Sequence, residues 1–213
     1  MAIISAQADS NRIVHLMPLI QSWRYKKYQF IRPIPPAAID RYYEAKLTEL
    51  AADDDAAVFV SEADGVLSGV LAIHRLEWDS EVLKIPCGRI FCLILPHEFG
   101  TGYETGQSLL ATAVGWARNR GFHFVDARCA TDDLPSCHAC EAAGFRLMDA
   151  SLNFAYTPRT IDRWAASGLR LAAEIRLGGE ADLSFVRRSA TLFRNDRFHR
   201  DPRIPRESAD RLY

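Results

Sequence analysis

The stretch Thr101-Gly102-Tyr103-Glu104-Thr105-Gly106, followed by Gln107-Ser108, sets glycine-bearing backbone ahead of an amphipathic run. In that run, Gln107 to Arg120, the side chains of Leu110, Ala113, Val114 and Ala117 share one stripe at helical spacing. Amides at the head of a helix lack intrahelical acceptors, and the macrodipole puts partial positive charge there, so such a bend can receive a diphosphate. Gly102, Gly106, Gln107 and Ser108 are therefore candidate anion-binding residues. Glu104 opposes this, because a desolvated carboxylate would repel phosphate by about 1 kcal/mol or more. The alternative is a strand-to-helix turn whose glycines only give the backbone its conformational freedom.

Three other groupings carry chemistry. Cys137-His138-Ala139-Cys140, with Cys129 nearby, suggests metal or redox work. A structural zinc site needs four ligands, usually in two separated pairs, and no second pair exists, so no metal is expected and the thiols read as small helix residues facing inward. Glu77-Trp78-Asp79 offers carboxylates that could act as a general base, against the plainer reading of a solvated loop. Arg187-Arg188, Arg194, Arg197, Arg200, Arg203 and Arg206 suit recognition of phosphate or carboxylate. They alternate with Asp182, Asp196, Asp201 and Glu207, which makes a salt-bridged surface the competing reading.

The elements that must position these groups follow from pattern. Helices are expected over Ile13 to Trp23 and Ala37 to Ala51, separated by Arg32-Pro33-Ile34-Pro35-Pro36, which cannot continue a helix. Ala57 to Ser61 and Val66 to His74 read as a hairpin whose Asp64-Gly65 supplies the positive φ of a tight turn. Gly88 to Leu95 is apolar enough for the middle of a sheet. A loop over Gly100 to Gly106 and the helix to Arg120 come next. Phe122 to Cys129 is a strand, Leu134 to Ala143 a short helix closed by Gly144, and Phe145 to Tyr156 strand again. Residues 1–157 thus form one domain and 158–169 a helical linker. Residues 170–213 hold a strand, Arg170 to Leu177, and helices of a second, incomplete unit.

With 48% hydrophobic and 25% charged residues in 213, the chain can bury a sizeable core. A formal net charge of -1 offers no bulk field for nucleic acid or anionic membrane. Met1 to Ser10 lacks a basic leader, and no stretch reaches the roughly 18 apolar residues of a membrane span, so a cytoplasmic protein is expected. Five cysteines, an odd number, fit reduced thiols better than a disulfide framework.

The order of elements, with Leu109-Leu110, Trp116-Ala117-Arg118-Asn119-Arg120-Gly121 and Glu141-Ala142-Ala143-Gly144-Phe145 in their places, resembles the GNAT acetyltransferase superfamily. A narrower likeness, through Leu76-Glu77-Trp78-Asp79-Ser80 and Ser189 to Tyr213, is to sugar-nucleotide acetyltransferases of the dTDP-fucosamine acetyltransferase group.

The resemblance implies an α/β (α+β) acyl-CoA N-acyltransferase fold, with a mixed central sheet flanked by helices and then the start of a second such unit. It implies acetyl-CoA as co-substrate, held by the backbone of Cys92, Leu93, Ile94 and Leu95 together with Gly102, Gly106, Gln107 and Ser108. The acceptor is the amine of a small molecule, an amino sugar nucleotide being the narrower expectation, and a homodimer or a partner through the incomplete C-terminal region is expected. The chain departs from the family pattern at two places. Of the loop positions Thr101, Glu104 and Gly106, only Gly106 matches, and where the family carries a tyrosine that protonates the departing thiolate this chain has Cys140. Its catalytic residues are therefore unassigned, and a non-catalytic supporting module is the rival reading.

Overall fold

A computed structural model of the chain describes residues 3–8, 10–31, 33–63, 65–152, 158–168, 176–190, 192, 194 and 196–212. The chain divides into two compact units, Met1–Arg146 and Leu147–Tyr213.

In the first unit the strand β1 (Ile3–Gln7), which the sequence pattern does not announce, is followed by α1 (Ser10–Ile13), a 3-10 turn (Val14–Leu16) and α2 (Met17–Ser22). A single helix is expected here, but Pro18 has no N–H to donate to the preceding turn, so the ladder breaks and restarts with proline in the first turn of α2. The helix α3 (Pro36–Ala51) starts at the proline segment and buries Ile39, Tyr43, Leu47 and Leu50 at helical spacing. Next come β2 (Ala56–Ala63) and β3 (Val66–Arg75), joined by a turn in which Gly65 takes φ +77°. Glu77-Trp78-Asp79, expected as loop, instead opens α4 (Glu77–Leu83). Ser80 anchors it: its hydroxyl donates to the Leu76 carbonyl at 2.6 Å and accepts from the Cys87 amide at 2.9 Å.

The strand β4 (Cys87–Ile94) leads to α5 (Phe99–Asn119), β5 (Phe124–Ala127) and α6 (Leu134–Ala142). The sheet order is β1-β2-β3-β4-β5, antiparallel except for the parallel pair β4–β5. Alternation along β3 serves two cores, as the two-residue strand period requires. Val70 and Ala72 pack with Ile13, Ile20, Leu47 and Ile94 on one face, while Leu71 and Ile73 pack with Leu93, Leu109, Leu110 and Ala113 on the other. Both faces are covered, which explains the near-continuous apolar run of β4. The strand expected from Phe145 is not formed over 145–152, and 153–157 lie outside the described residues.

In the second unit α7 (Pro158–Ala166) occupies the expected linker, and most of the strand expected over Arg170 to Leu177 lies outside the described residues. A 3-10 turn (Glu180–Asp182) leads into α8 (Leu183–Ala190), followed by α9 (Arg197–Arg200) and α10 (Arg206–Asp210). Phe198, Ile204, Ala209 and Leu212 are buried there. Among the described residues no helix is long and apolar enough to cross a membrane.

Candidate active site at the open end of the central strand

Two features of β4 create the site. Its register with β3 slips so that Ala72 faces Cys92 while Ile73 faces Ile90, leaving Phe91 as an extra residue. Such a bulge bends a strand and increases its twist. Beyond it, β5 stops following. Pairing runs only from Cys87↔Phe124 to Ile90↔Ala127, so among the described residues β4 continues from Phe91 to Ile94 without a β5 partner. Backbone groups of a strand point alternately to its two sides, so this half of β4 presents amides and carbonyls to the gap. Cys92, Leu93, Ile94 and Leu95 lie along it with their side chains buried, which leaves the backbone as the chemistry on offer.

Polar side chains from three separate segments gather where β4 ends. Tyr25, in the segment after α2, donates its hydroxyl to the Asp132 carbonyl at 3.1 Å and packs edge-on against His97, with ring centroids 6.4 Å apart. His97 Nε2 lies 2.9 Å from the Ser22 carbonyl. A carbonyl only accepts, so the neutral ring carries its proton on Nε2 and its lone pair on Nδ1. Asp133 is buried at the N-cap of α6, where its side chain accepts from the Ser136 amide at 3.3 Å. Burial pushes the Asp133 carboxyl above its ordinary range, and the amide hydrogen bond and the nearby His97 only partly counter this. Tyr25 is also raised, first by burial and then by Asp133 and Asp132.

The candidate diphosphate cradle needs correction. The helix begins at Phe99, not Gln107, so the expected loop forms its first turns. Gly102 donates its amide to the Glu98 carbonyl at 2.9 Å. Gly106, Gln107 and Ser108 lie deeper in α5, where amides bond back along the helix. The glycines serve packing. A Cβ on Gly102 would lie 2.4 Å from the Pro96 carbonyl and 2.9 Å from Pro135 Cβ, and one on Gly106 would lie 2.7 Å from Ala139 Cβ. The amides that do head α5 are occupied by its own N-cap: Glu98 accepts from Gly100 N at 3.1 Å and from Thr101 N at 2.7 Å. Bonds from the Thr101 hydroxyl and these amides hold the exposed Glu98 carboxyl below its usual range.

The carboxylates of α4 are not brought to the open end. Glu77 is exposed and pairs with Arg75 at 3.4 Å. Asp79 is buried near Arg89, whose guanidinium bridges β4 to β5 through two 2.7 Å bonds to Asp126. That group sits on the paired half of β4, whereas Tyr25 and His97 lie beyond its other end. Cys140 is buried, with its sulfur 3.8 Å from that of Cys129. Among the described residues no group of His, Cys, Asp and Glu could hold a metal ion. Of the arginine cluster, Arg203 is bound to Asp201 at 2.5 Å, while Arg194 and Arg206 line a cavity of about 320 Å3 with His199 and Asp201.

The sequence profile of the Acetyltransferase (GNAT) family matches residues 18–145, more than half of the chain. The chain belongs to the GNAT acetyltransferase family. Its similarity to solved structures is one of fold. A ribosomal-protein-alanine N-acetyltransferase from Brucella melitensis biovar Abortus 2308 is 16% identical, with TM-score 0.51, over 73% of this chain and 100% of that one. An aminoglycoside acetyltransferase from an uncultured soil metagenomic sample, solved with sisomicin, is 17% identical, with TM-score 0.50, over 73% and 95%. A transcriptional regulator from Bacillus halodurans C-125 is 15% identical, with TM-score 0.51, over 73% and 100%. No curated protein matches the chain by sequence. These differing descriptions share one sheet architecture, so the acceptor of this GNAT protein has to be argued from its own residues. Tyr25, His97, Asp132 and Asp133 escape a reading by motif because 107 residues separate Tyr25 from Asp132. Only His97, next to a strand-ending proline, stood where functional loops are usual.

Proposed function

We propose that the first unit is an acetyl-CoA-dependent N-acetyltransferase whose reaction takes place at the open end of β4. The parting of β4 from β5 after Ile90 and Ala127 carries this reading. Amide-bearing pantetheine could pair with the exposed edge over Cys92 to Leu95, and a β4 amide would polarise the thioester carbonyl. His97 Nδ1 would take the proton of the attacking ammonium. The amine nitrogen then bonds to the carbonyl carbon, the C–S bond breaks, and the second proton shed by that nitrogen goes to the departing thiolate. The acceptor is a small-molecule amine, in its narrower form an amino sugar carried on a nucleotide. Support for the narrower form comes from the likeness of residues 76–80 and 189–213 to sugar-nucleotide acetyltransferases. The expectation that residues 170–213 open a second unit of this kind belongs to the same proposal, as does a homodimer.

The Glu98 cap favours a second reading, that of a supporting module which does not bind the cofactor, because it fills the anion position with the chain's own carboxylate. Calorimetric titration of acetyl-CoA into the wild-type chain and into Glu98→Gln separates the two. If the cap only competes with the diphosphate, removing its charge strengthens binding. Absence of heat from both proteins leaves the supporting module.

A further inference from the structure

The spacing of Cys137 and Cys140 nominates a CxxC pair, but the fold brings a different thiol to Cys140. Cys129 lies just past the end of β5, and its sulfur stands 3.8 Å from that of Cys140 in the last turn of α6. Cys137 also interacts with Cys129, but its own thiol donates to the Ala130 carbonyl at 3.5 Å. Cys140 is buried, whereas Cys129 is the less buried of the two and so the first to meet an oxidant. The pair lies outside the chemistry proposed for the open end of β4.

We propose that Cys129 and Cys140 are a redox site that closes to a disulfide on exposure to a peroxide. Hydrogen peroxide oxidises the Cys129 thiol to a sulfenic acid and releases one water. Cys140 then attacks the Cys129 sulfur, the S–O bond breaks, and the hydroxyl leaves as a second water with the Cys140 proton. Two thiols and one peroxide thus give one disulfide and two waters. Closure rings the segment from Ala130 to Ala139, which includes Asp133 and the carbonyl of Asp132 that receives Tyr25. The hydrogen bond with Cys140, followed by burial, pushes the Cys129 thiol up, and burial pushes Cys137 up to about 11. Cys129 is therefore mainly thiol at neutral pH and oxidises slowly.

The test is peptide mapping by mass spectrometry of the full folded chain after treatment with hydrogen peroxide, with and without later reduction by dithiothreitol. The expected product is two hydrogens lighter, carries a Cys129–Cys140 link, and reverts on reduction. Cys137→Ser should keep the link and Cys129→Ser should lose it. A wild-type link between Cys137 and either other thiol, or conversion of Cys129 to sulfinic acid with no link, overturns the proposal. Cys129→Ser is at the less buried position, and retention in Cys137→Ser tests the pairing even if Cys140→Ser does not fold.

Discussion

Alanine placed at three glycines of α5 should give opposite signs at sites of identical backbone chemistry. Gly115 lies mid-helix with nothing within 4 Å of a built Cβ, so Gly115→Ala should gain the full helix-propensity difference, about 1 kcal/mol. Gly102→Ala gains a similar amount but drives its methyl against the Pro96 carbonyl at 2.4 Å and Pro135 Cβ at 2.9 Å, atoms that cannot rotate away. Overpacking of this kind costs about 1–3 kcal/mol, and the closeness to backbone points to the upper end, for a net loss near 2 kcal/mol. Gly106→Ala, against Ala139 Cβ at 2.7 Å and a movable Leu95 methyl, should fall between them. A span of about 3 kcal/mol between Gly115→Ala and Gly102→Ala corresponds to roughly 9 °C in Tm for a unit of this size. Urea unfolding or calorimetry of the three variants reads it directly. Should Gly102→Ala stabilise the protein as Gly115→Ala does, the close packing of Gly102 against Pro96 and Pro135 is refuted, while its place in the helix stands.

Two further outcomes are expected. Asp126→Ala strands the partly buried Arg89 guanidinium between β4 and β5 and should destabilise the first unit by about 2 kcal/mol in urea unfolding; a neutral result would mean that solvent or Asp79 fully compensates. In the second unit, His199 Nδ1 faces Asp196 and Nε2 lies 3.0 Å from Asp210, so both nitrogens must donate and the folded ring is an imidazolium. Burial alone would lower its pKa, but the bonds to Asp210 and Asp196 outweigh burial and raise it. A raised folded pKa means stabilisation that is complete below the unfolded value of about 6.5 and is lost as pH climbs through the folded value. The melting temperature of the second unit should therefore fall between about pH 6.5 and the His199 midpoint, a slope absent in His199→Gln. A midpoint at or below that of free histidine in an NMR titration would contradict the clamp.

The amino-acid sequence alone determined the elements whose causes are local. Apolar runs marked β2, β3 and β4, Gly65 marked the hairpin turn with its positive φ, and Gly121 and Gly144, at φ +72° and +89°, marked the ends of α5 and α6. The apolar run ending at Leu95 likewise located the strand whose backbone forms one wall of the candidate site. Only the tertiary structure decided the rest. Gly102 and Gly106 read as loop residues because helix propensity penalises glycine, yet they lie in α5, where Pro96, Pro135, Leu95 and Ala139 leave no room for a side chain. Edge strand β1 owes its existence to β2, more than fifty residues away. Tyr25 meets Asp132, and Cys129 meets Cys140, through the closing of a sheet and the docking of a helix. Short-range pattern reports which face of an element seeks burial, but which atoms approach across that face depends on segments that no local window contains.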